Sequence, residues 1–402
     1  MTKKLNNIPQ HKNVGITPDT PETGYNKIYA KDDGIWYGLD ELGVETPLGA
    51  RVTTNEICNL AIGENALGVN HEMGDEGDNI ALGCHSSFSL EKAGGNIAIG
   101  TYSLYNAVNS NRNVAIGSYA LNNDANCDGV VAIGGQALLN AVDATGSIAI
   151  GDGALKSTTT GGFNTGIGSR VLEENTTGSF NTAIGTLALY NNTVGDHNVA
   201  IGYYALQRNQ DGYANTAVGA SALSSNTIGT DNCAIGKNAL QNNEDGSSNI
   251  ALGTDSLLSN IGGGSNVAIG FNAMYNNESS GNVAIGTRTL YSNTTGDNNT
   301  SVGIDSLGSN TAGDSNIAIG FNAMYSNTVG NGNIAIGAAS SSGNFNNSIL
   351  IGTFATATAN NQFVVGSAGS NAGTITTESI TPDKTWTVRI NGVNYKIPLL
   401  TA

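Results

Sequence analysis

Basic residues are few in this chain: 16 Lys and Arg stand against 32 Asp and Glu, giving a net charge of −16. A surface of that sign repels phosphate backbones, so no nucleic-acid partner is expected. Charged residues of both signs make up only 12% of the 402 residues, while 39% are hydrophobic, a balance that excludes a disordered chain. No apolar run approaches the length of a membrane span, and Met1 to Asn7 contain no apolar stretch. Neither membrane insertion nor a signal peptide is expected.

Cysteine is scarce, and Cys58, Cys84, Cys127 and Cys233 have no CxxC spacing, so they are read as free thiols. The four histidines, His11, His71, His85 and His197, are scattered. His71-Glu72 opens like HExxH, but Asp75 stands where the second His would have to be. No P-loop and no calcium nonapeptide occurs. Asp40, Glu41 and Glu45, or Asp75, Glu76 and Asp78, supply carboxylates of the kind that hydrolyse glycans, but solvated loop charges are the simpler reading. No catalytic, cofactor-binding or metal-binding residue is assigned, and the chain is expected not to be an enzyme.

Glycine, by contrast, is abundant at 55 residues and periodic. From Gly63 to Gly366, nineteen glycines follow an apolar pair or triplet, spaced by 20, then eleven times by 17, then 16, three times 17, 15 and 14. A fixed short period over some 300 residues implies stacked coils of a repeat array. With each glycine at zero, the consensus has Ala at +3, Leu at +4, Asn at +7, Gly at +10, Asn at +13, and Ala-Ile at +15 and +16.

The stretch from +13 to +16 reads as a short strand. Its +16 row is always Ile, Leu or Val, and its +14 row is mainly Ile, Val and Thr; these two rows share one face. The +15 row on the opposite face is Ala in fifteen of nineteen coils. A 17-residue coil is too thin to supply layers for two apolar faces. One face is therefore expected to pack within the coil and the other against a neighbouring subunit, with the Ala row arguing for a rod shared between chains. Ala-Leu-x-x-Asn fits either one helical turn or a tight corner. Gly at +10 is expected to supply a turn with positive φ. The Asn row at +13 fits either amide-to-amide stacking along the rod or ordinary Asn turns. At about 4.8 Å per coil the shaft would be about 85 Å long.

Three regions follow. Residues 1–56 lie outside the repeat, and Tyr25 to Ala30 and Ile35 to Leu39 flank Asp33-Gly34 as in a β-hairpin. Residues 57–366 are the array. Its last two coils replace the Ala row by Leu350 and Val364, which is expected to push the packed surfaces apart. In residues 367–402, Trp386 to Ile390, Asn391-Gly392 and Val393 to Ile397 form a type I′ hairpin signal that would cap the array or form its tip. The fold class expected is all-β: a parallel β-roll or β-solenoid with 17-residue coils, small β-hairpin flanks and a laterally packed or intertwined homotrimer.

The repeated Asn-x-Ala-Ile-Gly-x-x-Ala-Leu resembles the head-domain repeats of trimeric autotransporter adhesins, which implies a parallel β-roll and lateral association of three chains. The flank Gly24-Tyr25-Asn26-Lys27-Ile28-Tyr29-Ala30-Lys31-Asp32-Asp33-Gly34, with Gly43-Val44-Glu45-Thr46-Pro47-Leu48, resembles the amino-terminal module of tailed-phage fibre proteins. That resemblance implies a structural virion fibre of tail, neck or head, assembled in the host cytoplasm. Residues 1–56 would then dock on other virion proteins, and the fibre would support attachment to a host surface glycan or protein. A bacterial surface adhesin and a glycan-degrading tailspike are the alternatives. Candidate glycan contacts are Tyr275, Tyr291 and Tyr325, which share the +5 phase, with Phe271 and Phe321 at +1; covering a corner or an interface is the other reading of these rings.

Overall fold

The computed structural model describes residues 59–68, 77–89, 93–124 and 126–366, and the backbone pairing of five strands outside them. Among the described residues there is no helix. Three strands, β1 (Lys27–Ala30), β2 (Ile35–Leu39) and β3 (Glu45–Val52), form an antiparallel meander in which Ala30 pairs with Trp36. Nineteen strands of three residues follow, one per coil, from β4 (Leu60–Ile62) to β22 (Phe363–Val365). The meander joins their sheet, because β3 runs antiparallel to β4 with Arg51 opposite Ala61. A separate antiparallel pair, β23 (Lys384–Ile390) and β24 (Val393–Leu399), has Ile390 opposite Val393. The residues preceding Lys27 and the Asp33-Gly34 and Asn391-Gly392 segments lie outside the described residues.

From β4 to β22 every neighbour is parallel and in register. In coil 202–218, for example, Thr216, Ala217 and Val218 lie beside Val199, Ala200 and Ile201 of the coil before. The array from β4 to β22 is thus a parallel β-solenoid with one strand per coil in a single sheet. The rest of each coil is turn, yet it too is bonded to its neighbours: Leu206 N–H donates to Ala222 O at 3.0 Å, and Gln210 N–H to Thr227 O at 2.9 Å. This is how a coil with only three strand residues pairs its backbone polar groups.

The interior contradicts the expected role of the Ala row. Ala183, Ala200, Ala217 and their equivalents are fully buried inside the coil, against Ala at +3 and Leu at +4. The Ile and Val rows of the same strands point outward and stay partly exposed. A methyl-sized residue is needed because the coil's own opposite wall lies close, and no second chain is required to explain it.

The Ala-Leu corner is not a helical turn. Tyr204 and Leu206 have φ of +59° and +51°, and the same two phases are left-handed in most coils. Alternating right- and left-handed residues cannot propagate a helix. They turn the chain sharply enough to bury Leu206 beside Ala205.

The glycine at +10 does not have a positive φ; that role falls on +12, as at Phe180 (+59°) and His197 (+59°). Gly178 is there because space is missing. A Cβ on it would lie 2.5 Å from Asn175 Oδ1, 2.5 Å from Gly195 O and 2.7 Å from Asn192 Nδ2.

Two columns of fully buried asparagine line this wall. At +7 they form an amide-to-amide ladder: Asn192 Nδ2 donates to Asn175 Oδ1, Asn209 to Asn192, and Asn226 to Asn209, each at 2.8 Å. At +13 the side chain bonds backbone instead: Asn181 N–H donates to Asn164 Oδ1 at 2.9 Å, and Asn181 Nδ2 donates to Gly195 O at 2.8 Å. Direct amide contacts also occur in this column, as Asn232 Nδ2 to Asn215 Oδ1 at 3.1 Å. A buried amide is costly unless paired, and here each coil supplies the partners of the next. In the one 16-residue coil the missing residue falls after Asn277, whose Nδ2 donates to Ser279 O at 2.9 Å, and Asn260 Oδ1 is left without a partner.

The last coils do not spread apart. Leu350 is buried where Ala would be, but Ser341 and Thr356 replace the corner residues Leu307 and Met324 of earlier coils and pair as a parallel bridge. The large side chain moves from the corner to the strand, so the core volume is conserved while the coil shortens.

Candidate functional surface

The solenoid interior is filled by Ala, Leu and Asn at 0% exposure, so any site must be external. The most continuous external feature is the outward sheet face. Ile167, Ile184, Ile201 and Ile235 are each 38% exposed, and Ile285, Ile319 and Ile336 continue the row. The adjoining row of Val199, Thr216, Cys233, Val267 and Val283 is half-buried. Antiparallel edges or alternating polarity would normally leave polar residues here. Instead an aliphatic strip follows the whole array, ending at Phe363 and Val365, both 67% exposed.

Of the candidate aromatics, the structure brings only Tyr275 and Tyr291 together. Their rings stack at 5.2 Å with an 18° tilt. Stacked in this way, each covers a face of the other, and a face is what a sugar ring needs for stacking. Tyr325 is exposed and lies over Gly308, where a Cβ would come 2.9 Å from its ring. Phe271 and Phe321 are highly exposed and three coils apart, each directly following a strand's terminal glycine. These five residues do not form one site.

Other aromatic columns escaped the sequence reading. His85, Tyr102 and Tyr119 stack at 4.9 and 5.2 Å, and Phe88 stacks on Tyr105 at 5.2 Å. Phe163, Phe180 and His197 stack at 5.3 and 5.0 Å along the left-handed +12 corner. Phe88 and Tyr105 sit at +5, the phase of Tyr275; the signal of the other columns was a 17-residue recurrence at +2 and +12. Among the described residues no three His, Cys, Asp or Glu side chains are grouped to hold a metal ion. Cys84, Cys127 and Cys233 are free thiols; Cys58 lies outside the described residues, as do His71 and Asp75. No helix among the described residues is long and apolar enough to cross a membrane.

Comparison with family models and with curated proteins finds no match to this chain.

Proposed function

We propose that this chain is a non-enzymatic virion fibre of a tailed phage, assembled as a homotrimer in the host cytoplasm and supporting attachment to the host cell surface. The observation that carries the reading is the outward aliphatic face. Over nineteen coils the two outward rows are Ile, Leu or Val at all but six positions, and each is partly exposed. Exposed apolar patches far beyond a few hundred Å² mark interaction sites. The strands that carry the face are in register from coil to coil, so a second and third copy offer the same surface at the same spacing. Three such faces around one axis bury the strip and leave the turn rows, with their aromatic columns, outside.

Residues 1–56 are the proposed docking module for other virion proteins, resting on the sequence resemblance. A host glycan or protein is the proposed distal partner. Sedimentation equilibrium of the full chain tests the assembly, with three times the chain mass expected. Cys233 lies on the proposed interface, so a short bismaleimide should link subunits through it in a variant lacking the other cysteines. Immunolabelling of virions tests the location. A monomer at micromolar concentration, or virions without label, would overturn the corresponding part.

A further inference from the structure

Coil 117–133 departs from the buried-amide pattern. Its +7 residue is Asp124, its +10 residue Cys127 and its +13 residue Val130, all at 0% exposure. The +7 residues of the coils on either side are Ala107 and Ala141, also fully buried, so no side-chain amide stacks above or below the carboxylate. Asp124 Oδ1 accepts the Cys127 N–H at 2.7 Å. Its Oδ2 has Asn113 Nδ2 at 3.4 Å, a donor already committed to Cys127 O at 2.8 Å.

The charged and titratable groups bearing on this site are Asp128 beside Asp124, Cys127 itself, and Asp143 near Cys127; no cation is among them. Burial pushes the Asp124 carboxyl up to about 6, against the ordinary 3.8, and the Cys127 N–H that it accepts lowers it only in part. Burial and the neighbouring Asp124 push the Cys127 thiol up as well, so it stays protonated.

We propose that coil 117–133 is an acid-tightened joint in the shaft: protonated Asp124 holds the coil closed, and ionised Asp124 lets it open ahead of its neighbours. The sign follows from linkage. The closed coil binds the proton more tightly than the open one, so its stability is fully present below the open-state value of 3.8 and is lost as pH rises through about 6. With those two values the opening equilibrium is about tenfold more favourable at pH 7.5 than at pH 5. Later coils carry neutral Thr158 and then Asn175, Asn192 and their successors at this phase, and nothing there titrates. The shaft therefore stiffens at one place on mild acidification.

Hydrogen exchange of the full chain at pH 5.0 and 7.5, corrected for intrinsic rates, tests this. The expected result is about tenfold greater protection at pH 5.0 in the amides of 113–147, with coils 202–252 unchanged. In Asp124→Asn, which installs the residue used at this phase in the later shaft, the difference should vanish. Asp124→Ala, the residue of both adjoining coils, gives the same readout if the Asn variant folds poorly. A wild-type joint with no pH dependence, or a variant that keeps it, would overturn the proposal.

Discussion

Gly166 and Val171 face each other across the core, where most coils place a pair of alanines. A Cβ on Gly166 would lie 3.1 Å from Val171 Cγ1 and 2.6 Å from Leu155 Cδ1. The lost methyl on one wall makes room for two on the other. Gly166→Ala should lower stability by about 1–3 kcal/mol through overpacking. Val171→Ala should cost a similar amount through a cavity. The double variant should recover at least about 1 kcal/mol relative to the sum, as a double-mutant cycle on thermal midpoints would measure. Additive losses would mean the two walls are not in contact.

Gly178 and Ser248 invert the usual rule for glycine. Gly178 has no left-handed φ but no room for a Cβ, so Gly178→Ala should destabilise by about 2 kcal/mol or more. Ser248 has φ of +61° and is exposed, so Ser248→Gly should be neutral or stabilising by up to about 1 kcal/mol. Chemical denaturation of the two variants separates crowding from backbone strain.

Asn226 stands mid-column, donating to Asn209 Oδ1 at 2.8 Å and Gly229 O at 2.9 Å while accepting from Asn243 at 2.8 Å. Asn226→Leu leaves these buried groups unpaired, at about 1–3 kcal/mol each. The expected outcome is a loss of at least about 3 kcal/mol, with hydrogen-exchange protection reduced most in coils 202–252. An unchanged unfolding midpoint would show that the amide column contributes nothing.

The aliphatic face yields a charge test. Ile184 and Ile201 are outward, partly exposed and adjacent in register. Ile184→Glu with Ile201→Glu should leave the β circular dichroism of the coil intact and reduce the sedimentation mass from trimer to monomer. Burying two unpaired carboxylates per chain costs more than such an interface tolerates. A trimer that survives the double substitution would place the interface elsewhere.

Much of this architecture was legible. The periodic glycine marked the number of coils, and the residues before it marked each strand of the array, such as Val199 to Ile201, but not β3 at Glu45–Val52. What the pattern did not give was sidedness. Ile-Ala-Ile is apolar on both faces, so alternation carries no sign of inside or outside, and only the near wall formed by Ala205 and Leu206 puts Ala200 within. Gly178 misled for a related reason: sequence reveals that a side chain is forbidden, not whether sterics or dihedral forbids it. Asp124 was visible as a residue, but its oddity depends on knowing that +7 is a buried column. The aromatic columns could be read from recurrence alone once every phase is searched.

In-register stacking also makes the shaft a graduated ruler. Because Val199, Ala200 and Ile201 meet Thr216, Ala217 and Val218 without offset, a whole coil can be removed and each column still closes on its next member. Length is then set in steps of about 4.8 Å by gain or loss of 17-residue units, and the 16-residue coil leaves one amide oxygen, Asn260 Oδ1, without a partner. The reach of the molecule is written as a count of repeats.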